Sequence, residues 1–301
     1  MSGANYLEAC RMKYVLWNPA KRRGCEVDVK IVKKYPKVFI ELAILLVLFT
    51  AAAAAPFVNA AGPLETSAAL RLTPPSPGHI FGTDEFGRDI LTRVCYGLRV
   101  SITVSLTVVT ITTLAGVMIG LICGWFELAD RIISRILDGL MAFPEIILAI
   151  TLSAIWGAGE WNLIFALSFA AFPRMTRVVR SSVLSVKSQE HIQSGRAVGA
   201  STSGLIFRYV MPGCVSAITV QATFCFASAI LSEAALSFLG VGVKEPAPSL
   251  GGMVSAARNY MTVAPWTILI PGAVIMVMVL VLNLMGDSLR DVLDPRIQTT
   301  R

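Results

Sequence analysis

The sequence of 301 residues is 55% hydrophobic and only 15% charged, with a mean hydropathy of +0.68. A soluble domain cannot bury that much apolar surface, whereas a protein that crosses a membrane several times needs it. The net charge of +7 is unevenly spread, and no basic and aromatic platform accompanies it. The charge is therefore interpreted as a signal of membrane orientation, and nucleic-acid binding is excluded.

Sequence motifs for catalysis and for bound cofactors are absent from the chain. No G-x-x-x-x-G-K-[ST] phosphate-binding loop occurs, and neither G-x-S-x-G nor H-E-x-x-H is present. The six cysteines form no CxxC pair, and His79 and His191 lie on opposite predicted sides of the membrane. The sequence therefore predicts no enzymatic activity, no disulfide framework, no metal site and no cofactor bound by this chain.

The N-terminal part of the chain is predicted to contain a tail and a first span. Residues 1–36 have an excess of lysine and arginine, which favours a cytoplasmic tail by the positive-inside rule. Residues 37–58 are the first transmembrane helix. The run Ala51–Ala55 resembles a signal-peptide cleavage site, but the preceding polar region is far longer than the charged start of a signal peptide. We therefore expect this helix to be retained.

Residues 59–97 are predicted to lie outside the cytoplasm and to end in an amphipathic helix. Asp84 is the expected cap of this helix. Its apolar residues recur at helical spacing and are Ile90, Leu91, Val94 and Leu98. The opposite face of the helix is charged. This pattern is typical of a helix that lies at the membrane surface, and here it would run directly into the next span.

Residues 98–287 are predicted to be a core of five transmembrane helices, and residues 288–301 a cytoplasmic tail. The spans are expected at Leu98–Trp125, at Ile132–Trp156 with a kink at Pro144, from Trp161 onwards, at Gly213–Leu239 and at Pro265–Met285. Lysine and arginine concentrate in the N-terminal tail and in residues 174–213, whereas the outer loops have few. The prediction is thus an all-α, polytopic protein with six transmembrane helices and both termini in the cytoplasm.

The second span has two rows of small or polar residues. Gly116, Gly120 and Gly124 make a GxxxGxxxG row, which permits close helix packing in lipid. A second row on one face, nearer the predicted outer half, consists of Thr103, Thr107 and Thr110.

The stretch His191–Gly213, with the sequence HIQSGRAVGASTSGLIFRYVMPG, separates two long apolar segments. It is rich in small residues and predicts two short helices around a turn at Gly199, because glycine tolerates the positive φ that ends a helix. A surface of alanine, glycine and serine lets another protein approach closely. The stretch therefore suits docking better than chemistry.

This stretch resembles the cytoplasmic "EAA" loop of binding-protein-dependent ABC importer permeases. Gly199 and Pro212 stand at the fixed spacing of that pattern, and Gln193, Ser194 and Gly195 replace its Glu-Ala-Ala. Two further runs, FGTDEFGRDILTRVCYGLRVS at 81–101 and NLMGDSLRDVLDPR at 283–296, are similar to the C-type permease subunit of dipeptide, oligopeptide and nickel importers.

The resemblance implies a MetI-like permease core in the bacterial cytoplasmic (inner) membrane, surrounded by lipid. It implies a second, homologous permease subunit, two ATP-binding subunits that hold ATP and Mg, and an extracytoplasmic solute-binding protein. Residues 174–213 would be the cytoplasmic coupling loop, in which Pro173 and Pro212 set the angles of the flanking helices. The loop residues expected to contact an ATPase are Gln193, Ser194, Gly195, Arg196, Gly199, Ala200, Ser201, Arg208 and Pro212.

A polar stripe on the fifth span is the candidate translocation path. The members of this stripe recur at helical spacing: Gln221, Cys225, Ser228 and Ser232. The threonine row of the second span is a candidate to face the same passage. Hydrogen bonding between helices is an equally weighted reading of both rows.

Glu145 and Glu233 are predicted to lie at membrane depth. A charge at the centre of a spanning helix costs about 2.5–3.5 kcal/mol on insertion, so each carboxylate is expected to have a structural or functional role. Glu233 is expected to hydrogen-bond a neighbouring permease in preference to lining the path. For Glu145 both readings stay open, a contact with an amino-bearing substrate or a structural role. Asp287 and Arg290 have the spacing of an ion pair at the inner end of the sixth span. A solvated helix end and a structural latch near the ATPase are both open readings, and the resemblance favours the latch.

Two rival functions stay open at this point. A proton-driven secondary transporter would use Glu145 or Glu233 as its relay, although no inverted repeat is visible. A membrane scaffold without transport is a weaker third reading. The substrate, whether dipeptide, oligopeptide, nickel chelate or sugar-phosphate conjugate, is not determined by the sequence.

Overall fold

The computed structural model describes residues 36–58, 62–244 and 246–293. The predicted N-terminal tail before Pro36 and the last residues of the predicted C-terminal tail, from 294, lie outside the described residues. Within the described ranges the regular structure is helical. The helices are α1 Pro36–Val58, α2 Ile90–Trp125, α3 Glu127–Met141, α4 Glu145–Trp156, α5 Glu160–Lys187, α6 Glu190–Ala197, α7 Thr202–Leu205, α8 Met211–Phe238, α9 Leu250–Ala257 and α10 Trp266–Leu293. The packing described below lies within the compact unit that begins at Ile40.

Four helical stretches in the described residues are long and apolar enough to cross a membrane. They are Lys37–Phe57, Ile90–Trp125, Thr202–Phe238 and Trp266–Leu293. The pair α3 and α4 would be a fifth if it is one broken span. Helix α5, the predicted fourth span, is not among them, because Arg174 and Arg177 shorten its apolar run.

The predicted third span is not one kinked helix. It is divided into α3 and α4, which are bent by 85° relative to each other. Pro144 stands immediately before α4, and the chain breaks here because proline has no N–H and disfavours helical geometry at the preceding residue. With 12 residues, α4 is only about 18 Å long, shorter than the hydrocarbon core of a bilayer of about 30 Å. The predicted inner loop at Glu127–Arg131 is the first turn of α3.

The predicted coupling loop is shorter than residues 174–213. Helix α5 continues through Pro173 to Lys187, so Pro173 does not end it. At the other side, a π-helical turn Ile206–Val210 joins α7 to α8, and the fifth span is helical from well before Gly213. The docking loop, as we call residues 188–210, therefore lies between two continuous helices.

The predicted surface helix before the second span is the first part of α2 itself. Its N-cap is Asp89, whose Oδ2 accepts a hydrogen bond from the Thr92 N–H at 2.8 Å. The prediction that Asp84 caps this helix is therefore wrong. Ile90, Val94 and Leu98 are buried in a cluster with residues of α8, α9 and α10. The apolar face that suggested a membrane surface thus packs against protein.

Asp84 has a different role in the segment that precedes α2. Its Oδ1 accepts the backbone N–H groups of Phe86 and Arg88 at 2.9 Å, and its Oδ2 accepts from Arg88 Nε at 2.6 Å. Arg93 Nε lies 3.5 Å from the same oxygen, and both Asp84 and Arg93 are buried. These contacts fasten the segment to the start of α2.

The glycine row of α2 packs along α5. Gly116, Gly120 and Gly124 lie opposite Met175, Val179 and Val183, and a Cβ at Gly120 would stand 2.6 Å from the Cβ of Val179. The predicted outer loop 240–264 is also partly helical. It contains α9, whose Gly251 lies directly against the backbone of Ala234.

Candidate functional site

The docking loop has a defined local structure. Helix α6 ends before Gly199, whose φ of +84° is the left-handed conformation that the sequence suggested. The Ser201 hydroxyl then caps α7 by accepting the Gly204 N–H at 3.3 Å. Two short helices therefore flank one glycine turn.

The outer face of this loop is exposed, while its inner face is anchored. Ile192 and Leu205 are buried in a cluster with Val183 and Val186 of α5. Gly195 is half-buried beside Leu205, and a Cβ at this glycine would stand 3.0 Å from Cδ2 of Leu205. The other predicted loop residues are exposed: Gln193, Ser194, Arg196, Gly199, Ala200, Ser201, Arg208 and Pro212. Two apolar side chains of the same loop are also strongly exposed, Val198 at 88% and Phe207 at 67%.

Cationic side chains of α5 and of the docking loop contact the end of α2. Lys187 Nζ donates to the carbonyl oxygen of Trp125 at 3.0 Å. The guanidinium of Arg196 lies 4.7 Å from the centroid of the Trp125 ring, a distance at which a cation is attracted to the ring face. Two of the cations in this region therefore make contacts within the chain.

Two ion pairs join α3 to α5, and sequence reasoning missed both. Arg180 donates to both carboxylate oxygens of Asp130, through Nε to Oδ1 and through Nη2 to Oδ2, the latter at 2.7 Å. Arg177 donates to Asp138. The partners lie 50 and 39 residues apart, so no local pattern could have paired them.

A cavity of about 650 Å³, which we call the vestibule, lies beside the docking loop between α5, α8 and α10. Its lining is rich in hydroxyl groups and includes one cation. The polar lining residues are Ser181, Ser182, Ser185, Gln189, Ser216, Gln221 and Arg290.

A second cavity of only about 20 Å³, the constriction, adjoins the vestibule. Gln221 and Phe224 line both cavities. The constriction brings Glu145 of α4 together with Arg174 of α5, and with Cys225 and Ser228 of α8. Three helices thus place polar groups around one narrow point.

The predicted path residues divide into two groups. Glu145, Gln221 and Ser228 meet at the constriction, whereas Ser232 is half-buried and lines neither cavity. The threonine row also lies elsewhere. Thr103 and Thr110 are exposed and Thr107 is half-buried, and each hydroxyl donates to a carbonyl oxygen of α2 four residues earlier, at 2.8 Å.

The contacts of Glu233 differ from the predicted hydrogen bond to a neighbouring permease. Glu233 is fully buried, and it accepts hydrogen bonds from Ser101 at 2.7 Å and Ser237 at 2.9 Å. Its partners therefore lie within this chain and not in a neighbouring permease, and its carboxylate faces neither cavity.

The inner end of α10 has a different contact from the expected one. Among the ion pairs of the described residues, none joins Asp287 to Arg290. Instead, Ser288 donates to Oε1 of the buried Glu41 at 3.0 Å, a contact that the sequence did not suggest. The cysteines in the described ranges are free thiols: Cys95, Cys123, Cys214 and Cys225.

The chain is similar to known membrane transport proteins over most of its length. Residues 116–299 match the family described as "Binding-protein-dependent transport system inner membrane component". A putative peptide transport system permease protein of Brucella suis is 43% identical over 259 residues, which cover 86% of this chain and 88% of the relative. A dipeptide transport system permease protein of Alkalihalophilus pseudofirmus is 41% identical over 271 residues, covering 90% and 89%.

A solved structure shares the fold. An inward-facing conformation of the MetNI methionine ABC transporter superposes with a TM-score of 0.56 at 17% identity, over 67% of this chain and 96% of the other. The MetI-like core implied by the resemblance is thereby confirmed, and the family match confirms the resemblance itself. The chain belongs to the family of inner membrane components of binding-protein-dependent transport systems, as a permease subunit of an ABC importer.

Proposed function

We propose that this chain and a second, homologous permease subunit together form the membrane passage of an importer for peptides. Two separate ATP-binding subunits would drive transport with Mg and ATP, and an extracytoplasmic solute-binding protein would deliver the substrate. Peptides are proposed because the relatives named above are permeases for peptides or dipeptides and align over nearly their full length.

The observation that supports ATPase coupling most directly is the docking loop. It is anchored by Ile192 and Leu205, yet its outer face exposes Val198 and Phe207. Large apolar side chains that are exposed on a loop between spanning helices suit contact with a partner protein. An ATPase that binds this face would move α5 and α8 together, because the loop is continuous with both helices.

The proposed topology keeps six spans in the bacterial inner membrane with both termini in the cytoplasm. Helix α5 is included as a span, and its arginines at the loop end agree with the positive-inside rule. The domains are then a tail at 1–36, a first helix at 37–58, an extracytoplasmic segment at 59–97, a core at 98–287 and a tail at 288–301. Within the core, the coupling region 174–213 begins as the last part of α5.

The proposed substrate path runs from the vestibule to the constriction. Serine hydroxyls line the wide part, which suits a passage that binds its substrate weakly. Glu145 and Arg174 stand at the narrow part, where a carboxylate and a guanidinium could contact the amino and carboxylate groups of a peptide. Charged groups at membrane depth commonly mark such pathways.

The test is co-purification of the complex from its native membrane, with the wild-type chain and with Gly199→Asp. A β-carbon at a φ of +84° strains the turn by about 1–2 kcal/mol, and the new charge lies on the docking face. We expect ATPase subunits to purify with the wild type and to be lost, or to lose stimulation by the loaded binding protein, with the variant.

Gly157→Asp is the matched control, because Gly157 also has a positive φ, of +83°, is exposed between α4 and α5, and its added Cβ would meet nothing within 4 Å. A wild-type complex without any ATPase contradicts the proposal and favours a proton-driven transporter. Uptake that an uncoupler abolishes would then identify Glu145 as the relay to test first.

A further inference from the structure

Helix α3 buries little of its side-chain surface within this chain, and two ion pairs join it to α5. Leu137 is the one buried side chain of α3, all of whose residues are described. Leu128 is 71% exposed and Ile132 is 56% exposed. A helix with so little burial has no packed core to set its position, so its ion pairs to α5 gain importance.

The two ion pairs on α3 differ in strength. The Asp130–Arg180 pair is bidentate and half-buried, and Ser134 donates a further hydrogen bond to Asp130 at 2.9 Å. The side chains of Arg177 and Asp138 are 51% and 63% exposed, and a single nitrogen makes that contact. Bidentate pairs are strong and geometrically specific, whereas exposed single pairs contribute little.

Helix α5 moves with the docking loop because the two share one packed cluster. Val179, Val183 and Val186 of α5 are buried together with Ile192 and Leu205 of the loop. Any displacement of the loop by a bound partner is therefore transmitted to α5, and through Arg180 to Asp130 on α3.

The other end of α3 leads directly to the constriction. Three residues separate α3 from α4, the bend there is 85°, and Pro144 occupies it. Glu145 is the first residue of α4 and lines the constriction with Arg174. Hinges of this kind are a few residues at element ends that absorb a large backbone change.

We propose that Asp130 and Arg180 are positioning residues that transmit displacement of the docking loop to Glu145, and so set whether the constriction is open. The inference rests on the proposed function, since it needs a partner that moves the loop. The linkage has three joints: the packed cluster between the loop and α5, the bidentate pair between α5 and α3, and the bend at Pro144.

The test uses the complete transporter in liposomes, with the binding protein outside and ATP inside. We compare peptide uptake per ATP hydrolysed for the wild type, Asp130→Asn, and the charge exchange Asp130→Arg with Arg180→Asp. Asp130→Asn is expected to assemble normally and to hydrolyse ATP within about twofold of wild type, but to transport at least about fivefold fewer peptides per ATP. The charge exchange restores much of this ratio.

Asp138→Asn is the matched control, because it removes a carboxylate from the same helix and from the weaker pair. Its ratio is expected to stay within about twofold of wild type. An unchanged ratio in Asp130→Asn overturns the proposal, and so does a parallel loss of assembly and hydrolysis, which indicates a structural role. Failure of the charge exchange to restore coupling also overturns it.

The native thiol of Cys225 gives a readout that does not depend on the substrate, since it lines the same constriction as Glu145. In a chain whose other cysteines are serine, maleimide labelling of Cys225 is expected to change when ATP is added. That change is lost in Asp130→Asn and returns in the charge exchange. An equal response in the wild type and Asp130→Asn contradicts the linkage, whereas a wild-type complex without ATPase or uptake contradicts the proposed function itself.

Discussion

The two ends of α2 are stabilised in different ways. At its start, Ile90 and Leu98 are buried against α9 and α10, and the buried Asp84 of the preceding segment contacts Arg93 of α2. At its far end, Trp125 is also buried, but two cations contact it through long side chains, Lys187 of α5 and Arg196 of the exposed docking loop. We expect the first end to stay fixed, because a buried charged network and a shared apolar cluster hold it. We expect the second end to adapt to a partner, because long cationic side chains connect it to an exposed loop, so the docking loop is the part expected to move.

The largest expected effect comes from breaking the rigid end with Asp84→Ala. The change removes the acceptor of two backbone N–H groups and of Arg88 Nε, in a buried site. Loss of one partner from a buried charged network costs about 3–5 kcal/mol. We expect a clearly lower melting temperature of the purified chain.

Glu65→Ala is the control for this variant, because Glu65 is an exposed acid of the same segment. Its melting temperature is expected to equal that of the wild type. If Asp84→Ala melts like Glu65→Ala, the start of α2 is not the rigid end.

A smaller effect on stability is expected where α2 packs against α5. A methyl group at Gly120 would stand 2.6 Å from the Cβ of Val179, so Gly120→Ala forces the helices apart. Overpacking of this size costs about 1–3 kcal/mol. Thermal melting of the variant checks it.

Gly272→Ala is the matched change, since Gly272 lies in α10 and a Cβ there would meet nothing within 4 Å. That variant is expected to be neutral or slightly more stable, because alanine is the better helix former. Equal destabilisation by both variants would show that helix propensity and not close packing decides the result.

The smallest effect on stability is expected at the adaptable end, from Arg196→Ala. The variant loses the cation placed 4.7 Å from the Trp125 ring, a contact of about 0.5–1 kcal/mol at an exposed site. Melting should change little, while ATPase stimulation by the loaded binding protein should fall, since the side chain also lies on the docking face.

Arg208→Ala separates these two contributions, because Arg208 is an exposed cation of the same loop. It is expected to leave melting unchanged. A large loss of stability in Arg196→Ala would indicate that the loop is as rigid as the opposite end, which contradicts the comparison.

Local features of the sequence were sufficient for much of this description. High hydropathy indicated the membrane class, Gly199 predicted the turn of the docking loop, and Pro144 marked the position of a bend, although as a kink and not as the break between two helices. Each depends on one residue or one short run, through backbone conformation or transfer from water. The family resemblance depended on three such runs and was confirmed.

Other features depended on which faces of the helices meet, and only the tertiary structure decided them. Glu233 pairs with Ser101 across 132 residues, and Arg180 pairs with Asp130 across 50. The threonine row of α2 lines neither the vestibule nor the constriction, and its hydroxyls donate to carbonyl oxygens of α2 itself. Helical periodicity determines which residues share a face, but the rotation of each helix about its axis follows from the packing of all its neighbours.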